Sequence, residues 1–211
     1  DPCGARVMGY KEATLTFHDD KITYVGDPLE GMEEIEEMEL PEQELEVMMD
    51  WEAPLMERSA EFVCENGGDI LEIGFGMGIA SGYIQSHSPT THIIVELHPQ
   101  IAEKAREWAA DKPNVTIIEG DWLDVVPTLG TFDGIFYDTY GAFGHWGSVA
   151  EVVSEHTNEG CHITFWNCCR GEGNGCGFND TYDITYEQIE VDPPQNTYFN
   201  DKVYYLPKVV I

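Results

Sequence analysis

Four short clusters in the chain carry the residue types of a ligand site. They are Glu72-Ile73-Gly74-Phe75-Gly76-Met77-Gly78, the single Glu96, Gly120-Asp121-Trp122, and Asp138-Thr139-Tyr140. Glycines at alternate positions permit tight turning and close approach of a ligand to the backbone. A carboxylate such as Glu96 suits a ribose diol, because it can accept both hydroxyls. The set describes a nucleotide-like cofactor. The dinucleotide fingerprint Gly-x-Gly-x-x-Gly fails, since its third position counted from Gly74 or Gly76 is Ile79 or Ser81. Nicotinamide-dependent oxidoreduction is disfavoured on that ground.

Each cluster must be held by an element. Strand-like runs at Asp69–Ile73, His92–Glu96, Val115–Glu119 and Phe132–Tyr137 each lead into one of the four. Helical patterns lie near Ile79–Gln85, from Pro99 to about Ala110, and near Trp146–His156, ahead of a strand at His162–Trp166. This alternation predicts an α/β fold with an open, mainly parallel Rossmann-like sheet. Ligands of such sheets bind beyond the carboxyl ends of the strands, where the clusters fall. Residues 182–191 and 202–211 have no helix between them, so they should form an antiparallel hairpin at one sheet edge. Near the start, 13–18 and 21–25 alternate at period two around Asp19-Asp20, as a small hairpin does. Nine glutamates between Glu30 and Glu46, with Met32, Ile35 and Met38 at helical spacing, read as an acidic amphipathic helix broken at Pro41. A second helical pattern runs from about Leu45 to Asn66 and ends at Gly67-Gly68.

The acidic Glu72 ahead of Gly-x-Gly-x-Gly looks like the first motif of class I methyltransferases, whose cofactor is S-adenosyl-L-methionine. Met48-Met49-Asp50-Trp51-Glu52-Ala53-Pro54-Leu55-Met56, Leu71–Met77 and Phe132–Tyr140 extend the likeness. With Asp124–Leu129 and Val203-Tyr204-Tyr205-Leu206-Pro207, they closely resemble guanidinoacetate N-methyltransferase over about 45–167 and the final strands. The resemblance implies an N-methyltransferase that leaves S-adenosyl-L-homocysteine as product. It divides the chain into a hairpin and acidic helical extension at 1–44, a lid or accessory part, and a methyltransferase domain at 45–211. It places Glu52 and Asp138 on the substrate guanidinium as the catalytic pair, with Tyr140 beside them. It places Met48, Glu72, Gly74, Phe75, Gly76, Met77, Gly78, Glu96, Gly120, Asp121 and Asp138 around the cofactor. Trp122 either flanks the adenine or covers the core. Where the family grips the substrate carboxylate with an Asn-Leu-Thr segment, this chain has Asn167-Cys168-Cys169. That departure leaves the acceptor open between a small cationic guanidino or amine compound and a peptide or protein side chain. A non-catalytic methyltransferase-like binding module is the alternative from another class. Two carboxylates suit the chemistry, because they orient a cationic nitrogen and favour loss of its proton as the N–C bond forms.

The charge narrows the partners. The 211 residues hold 40 Asp+Glu against 10 Lys+Arg, a formal charge of −30. Such a surface repels phosphate backbones and anionic membranes, so neither nucleic acid nor membrane is expected as a partner. It favours cationic ligands, and it is also what a solvated shell adapted to high salt would carry. Four of the six cysteines fall within 161–176, but Cys168 and Cys169 are adjacent and no Cys-x-x-Cys occurs, so no metal site is expected. Reduced cysteines point to a cytoplasmic setting. The chain starts at Asp1 with no basic segment ahead of an apolar stretch, and no targeting signal is read. No apolar run approaches a membrane span. A monomer and a homodimer are equally compatible with this composition.

Overall fold

The structure, a computed structural model, describes residues 10–26, 42–140, 146–167, 171–173 and 175–211. Most of the expected acidic helix lies outside these residues, as do Cys168 and Cys169.

Two sheets form. The smaller joins β1 (Thr16–Phe17), β2 (Lys21–Gly26) and β3 (Gln43–Met49), all antiparallel. The expected hairpin is its first half. The third strand corrects the reading of Leu45 onward as helix, since helix α1 begins only at Ala53 and runs to Val63. Pairing decides the matter: β2 offers β3 a complete edge, and a bulge at Val47, opposite Ile22 and Thr23, lets Leu45 and Met48 both be buried although they are three residues apart. The expected division between residues 44 and 45 falls inside this strand.

The larger sheet has seven strands in the order β6-β5-β4-β7-β8-β10-β9. Its parallel part comprises β4 (Asp69–Ile73), β5 (Thr91–Glu96), β6 (Val115–Glu119), β7 (Phe132–Tyr137) and β8 (Thr157–Phe165). The crossover helices are α2 (Ile79–Ser86), α3 (Pro99–Ala109), the short α4 (Trp122–Val125) and α5 (Trp146–Ser154). β9 (Ile184–Glu190) and β10 (Val203–Val210) close one edge as the expected antiparallel hairpin.

Period-two alternation sends neighbouring side chains to opposite faces. Leu71, Ile73, Ile135 and Tyr137 pack on one face with Val149 and Val153 of α5. Ile70 and Phe136 pack on the other with Leu55, Met56 and Val63 of α1 and with Phe199 and Tyr204. The small sheet lies against α3 and β5 through Tyr10, Leu15, Ile22, Tyr24 and Leu45. His98 and Gln100 pin it there. His98 Nδ1 accepts from Gln100 N, so its Nε2–H donates to Ala13 O at 3.0 Å, and Leu15 N donates to Gln100 at 2.8 Å. No helix among the described residues is long and apolar enough to cross a membrane.

Candidate active site

The parallel ladder continues one residue beyond each strand and so gathers the four clusters. Gly74 N donates to Val95 O at 2.8 Å, Gly120 N to Glu96 O at 2.9 Å, and Asp138 N to Ile73 O at 2.9 Å. Gly74 has φ +96, and a Cβ there would lie 1.8 Å from the backbone oxygen of Asp138. A Cβ on Gly76 would lie 2.3 Å from Met48 Sδ, which accepts from Met77 N at 3.2 Å. The turn is therefore glycine-built on one side and roofed by β3 on the other. Met48, Gly76 and Met77 meet there.

Glu96 is buried at the end of β5. Its Oε2 accepts from Phe75 N at 2.8 Å and its Oε1 from His98 N at 2.7 Å. Burial raises its carboxyl above the ordinary range, against the pull of these backbone donors. The backbone amides of Gly76 and Leu97 pull on it as well, so the carboxylate sits among the amides of the glycine turn and of the residues that follow β5. Phe75 packs at 5.6 Å from the Trp108 ring and under Gly78.

Other expected residues are occupied within the protein. Glu72 is fully buried; Ser81 Oγ donates to both of its oxygens at 2.8 and 2.7 Å. Gln85 donates to His92 Nδ1, so His92 Nε2–H donates to Glu72 at 2.8 Å. Asp121 caps α4 by accepting from Leu123 N at 3.0 Å. Trp122 covers the core, edge-on to Tyr137 at 5.2 Å. Tyr140 sits 4.8 Å from Tyr10 and 5.8 Å from Tyr24, against the small sheet. Asn167 is buried; its backbone N–H donates to Tyr204 Oη and its amide donates to Gly171 O and Tyr205 O.

Glu52 and Asp138 face each other electrostatically. Glu52 is 3% exposed, at the end of a single 3₁₀ turn (Asp50–Glu52) between β3 and α1. Its Oε1 accepts from Met49 N at 3.0 Å and from Tyr198 Oη at 2.6 Å. Loss of water raises its carboxyl well above the usual range, and the Asp138 charge pushes it further. Asp138, half-buried at the end of β7, is raised by loss of water and then by the charge of Glu72. No lysine or arginine among the described residues relieves either one. Two raised, mutually repelling carboxyls can bind a cation and take a proton from it. Around it stand Trp51, stacked with Phe199 at 5.6 Å and with Tyr198 at 6.2 Å, and Trp166, 6.0 Å from Tyr198.

Sequence reasoning missed Tyr198, Ser81 and His92. Each acts over a distance in sequence that no local spacing records. Of the described cysteines, Cys64, Cys161 and Cys176 are buried, and burial pushes the Cys64 and Cys161 thiols up to about 12. Among the described residues no three His, Cys, Asp or Glu side chains form a metal-binding group.

A parallel sheet with an inserted antiparallel strand at one edge, and glycine turn, acid and Asp at its carboxyl ends, is the architecture of a class I methyltransferase. Solved structures share it: N-methyltransferase NodS from Bradyrhizobium japonicum superimposes with a TM-score of 0.60 at 14% identity, over 76% of this chain and 96% of that one. The chain belongs to the guanidinoacetate N-methyltransferase family, whose sequence model matches residues 32–160. Among curated relatives, protein arginine N-methyltransferase 2 of Aspergillus oryzae is 34% identical over 193 residues, covering 87% of this chain and 41% of that protein. The protein of the same name from Saccharomyces cerevisiae is 33% identical over 201 residues, covering 77% and 47%. The chain thus spans less than half the length of these relatives.

Proposed function

We propose that this domain is an S-adenosyl-L-methionine-dependent N-methyltransferase whose acceptor is the guanidino group of an arginine in a peptide or protein. The observation that carries the reading is the pair of buried Glu52 and half-buried Asp138, which lacks any neutralising cation among the described residues. A guanidinium supplies that cation, and two carboxylates match its planar fork of donors. Guanidinoacetate would bring a carboxylate of its own into an already anionic pocket. An arginine side chain brings none. The names of the two relatives support the same choice over a small acceptor.

The cradle fits the cofactor. A turn without Cβ atoms at Gly74 and Gly76, roofed by Met48, leaves backbone open to a ligand, and the Glu96 carboxylate beside that turn suits a ribose diol. When bound there, S-adenosyl-L-methionine supplies an activated methyl group on a sulfonium centre. The protein's own part is positioning, which lowers the barrier chiefly by orientation. Glu52 and Asp138 fix the acceptor nitrogen, and one of the pair takes its proton as the N–C bond forms. Trp51, Trp166 and Tyr198 keep water away from that nitrogen. Glu72 acts through its charge, keeping the Asp138 carboxyl basic.

The test is formation of S-adenosyl-L-homocysteine with an arginine-containing peptide, its lysine counterpart and guanidinoacetate, each at equal concentration. Turnover with the arginine peptide exceeding the other two supports the reading. Turnover confined to guanidinoacetate, or none with any acceptor, defeats it.

A further inference from the structure

The turn at 196–199 is built to present one side chain. Asn196 Oδ1 accepts from Tyr198 N at 2.9 Å and Phe199 N at 2.8 Å, while its amide donates to Phe199 O at 2.6 Å. Thr197 clasps the turn to β3, with its hydroxyl 2.6 Å and its backbone N 3.2 Å from Glu46 Oε2. Phe199 stacks on Trp51 and Tyr198 lies between Trp51 and Trp166. The result is a phenol whose O–H reaches Glu52 Oε1 at 2.6 Å, from the β9–β10 connection.

We propose that Tyr198 is the positioning residue of the acceptor site, holding Glu52 by one oxygen so that the other is reserved for the acceptor guanidinium. Among the described residues, both hydrogen bonds to Glu52, from Met49 N and Tyr198 Oη, fall on Oε1. Oε2 is thereby left to the ligand. A donor on one oxygen also favours the charged carboxylate, which a guanidinium needs opposite it. The groups acting on Glu52 are those two donors and Asp138 from the end of β7, with Glu72 acting in turn on Asp138. The proposal rests on the reading of Glu52 and Asp138 as acceptor ligands.

The experiment is a pH titration of the Glu52–Asp138 pair by carboxyl infrared or carbon NMR spectroscopy, on the whole chain without cofactor. Tyr198→Phe keeps the ring and removes the donor. It should raise the pair's midpoint by at least about 0.5 in pH. 3-Fluorotyrosine at position 198 keeps ring and hydroxyl, strengthens the donor and should lower it. In a Glu52→Gln background, Tyr198→Phe should leave the Asp138 titration in place. With arginine peptide, Tyr198→Phe should raise KM at least fivefold at unchanged cofactor affinity. A merely structural tyrosine would lower the melting temperature without moving the midpoint, and an unmoved midpoint in both Tyr198 variants overturns the proposal. If the wild-type chain methylates no arginine peptide, the proposed function falls, while the midpoints still decide the role of Tyr198.

Discussion

Gly74 and Asp138 share one point in space: a Cβ on the glycine would stand 1.8 Å from the backbone oxygen of the aspartate. The glycine turn and the strand end that carries Asp138 are thus fixed to each other through main chain. Gly74→Ala should therefore damage both at once, since the left-handed φ of +96 is strained for alanine and the clash is with backbone that cannot swing aside. The expected outcome is a melting temperature lower by several degrees together with loss of cofactor binding in calorimetry. A stable Gly74→Ala variant with native affinity would show that the turn and β7 move independently.

Asp138→Asn keeps the shape of the strand end but cannot take a proton or hold a cation. Methyl transfer should fall by at least ~10²-fold, the low end for a general base, with the cofactor dissociation constant little changed. Glu52→Gln should act mainly on the acceptor KM. Full turnover by Asp138→Asn would remove it from the chemistry.

The same pair makes a stability prediction. Both carboxyls lie above their unfolded values, so the folded chain retains protons that the unfolded chain has released. Stability is then lost as pH rises from about 4 through the raised values, and is intact below. Asp138→Asn should melt higher than wild type at about pH 8, with the gain vanishing near about pH 4. Thermal melts across that range check the sign; a gain confined to acid would reverse it.

These particulars show where sequence patterns sufficed. Strands β4 to β8 alternate with helices, and β4 to β7 end in glycines and acids, so their order and the site edge are legible in the sequence. Glu52, Asp138 and Met48 were placed by likeness to a family, and they do gather at one edge. β3 was misread, because glutamates favour helix and a bulge breaks the period of two that would have betrayed a strand. Tyr198 was invisible, since it lies 146 residues from Glu52 in a connection that reads only as turn.

Glu96 serves the fold, besides the ligand role proposed for it. Glu96→Ala removes the acceptor for Phe75 N and His98 N as well as the expected ribose contact. Cofactor affinity should fall by about 1.5–3 kcal/mol, as for hydrogen bonds to a charged group, and the melting temperature should drop even without cofactor. An unchanged dissociation constant would remove Glu96 from the ribose.

The acidic excess predicts a salt response. With a charge of −30, self-repulsion opposes the compact state and added ions screen it. The melting temperature should rise from low to molar KCl. A flat or falling curve would reassign the excess to a cationic partner.

The clasp between β3 and the 196–199 turn also dictates an order of assembly. Thr197 meets Glu46 across 151 residues and Tyr198 meets Glu52 across 146, so the pocket wall is made of segments synthesised far apart. Contacts of such separation form late, after the local βα units have condensed. A nascent chain still short of Phe199 can already own its glycine turn and Glu96, but not the aromatic wall that shelters the acceptor. On the ribosome, then, the residues proposed to hold a methyl donor precede those proposed to choose what receives the methyl group.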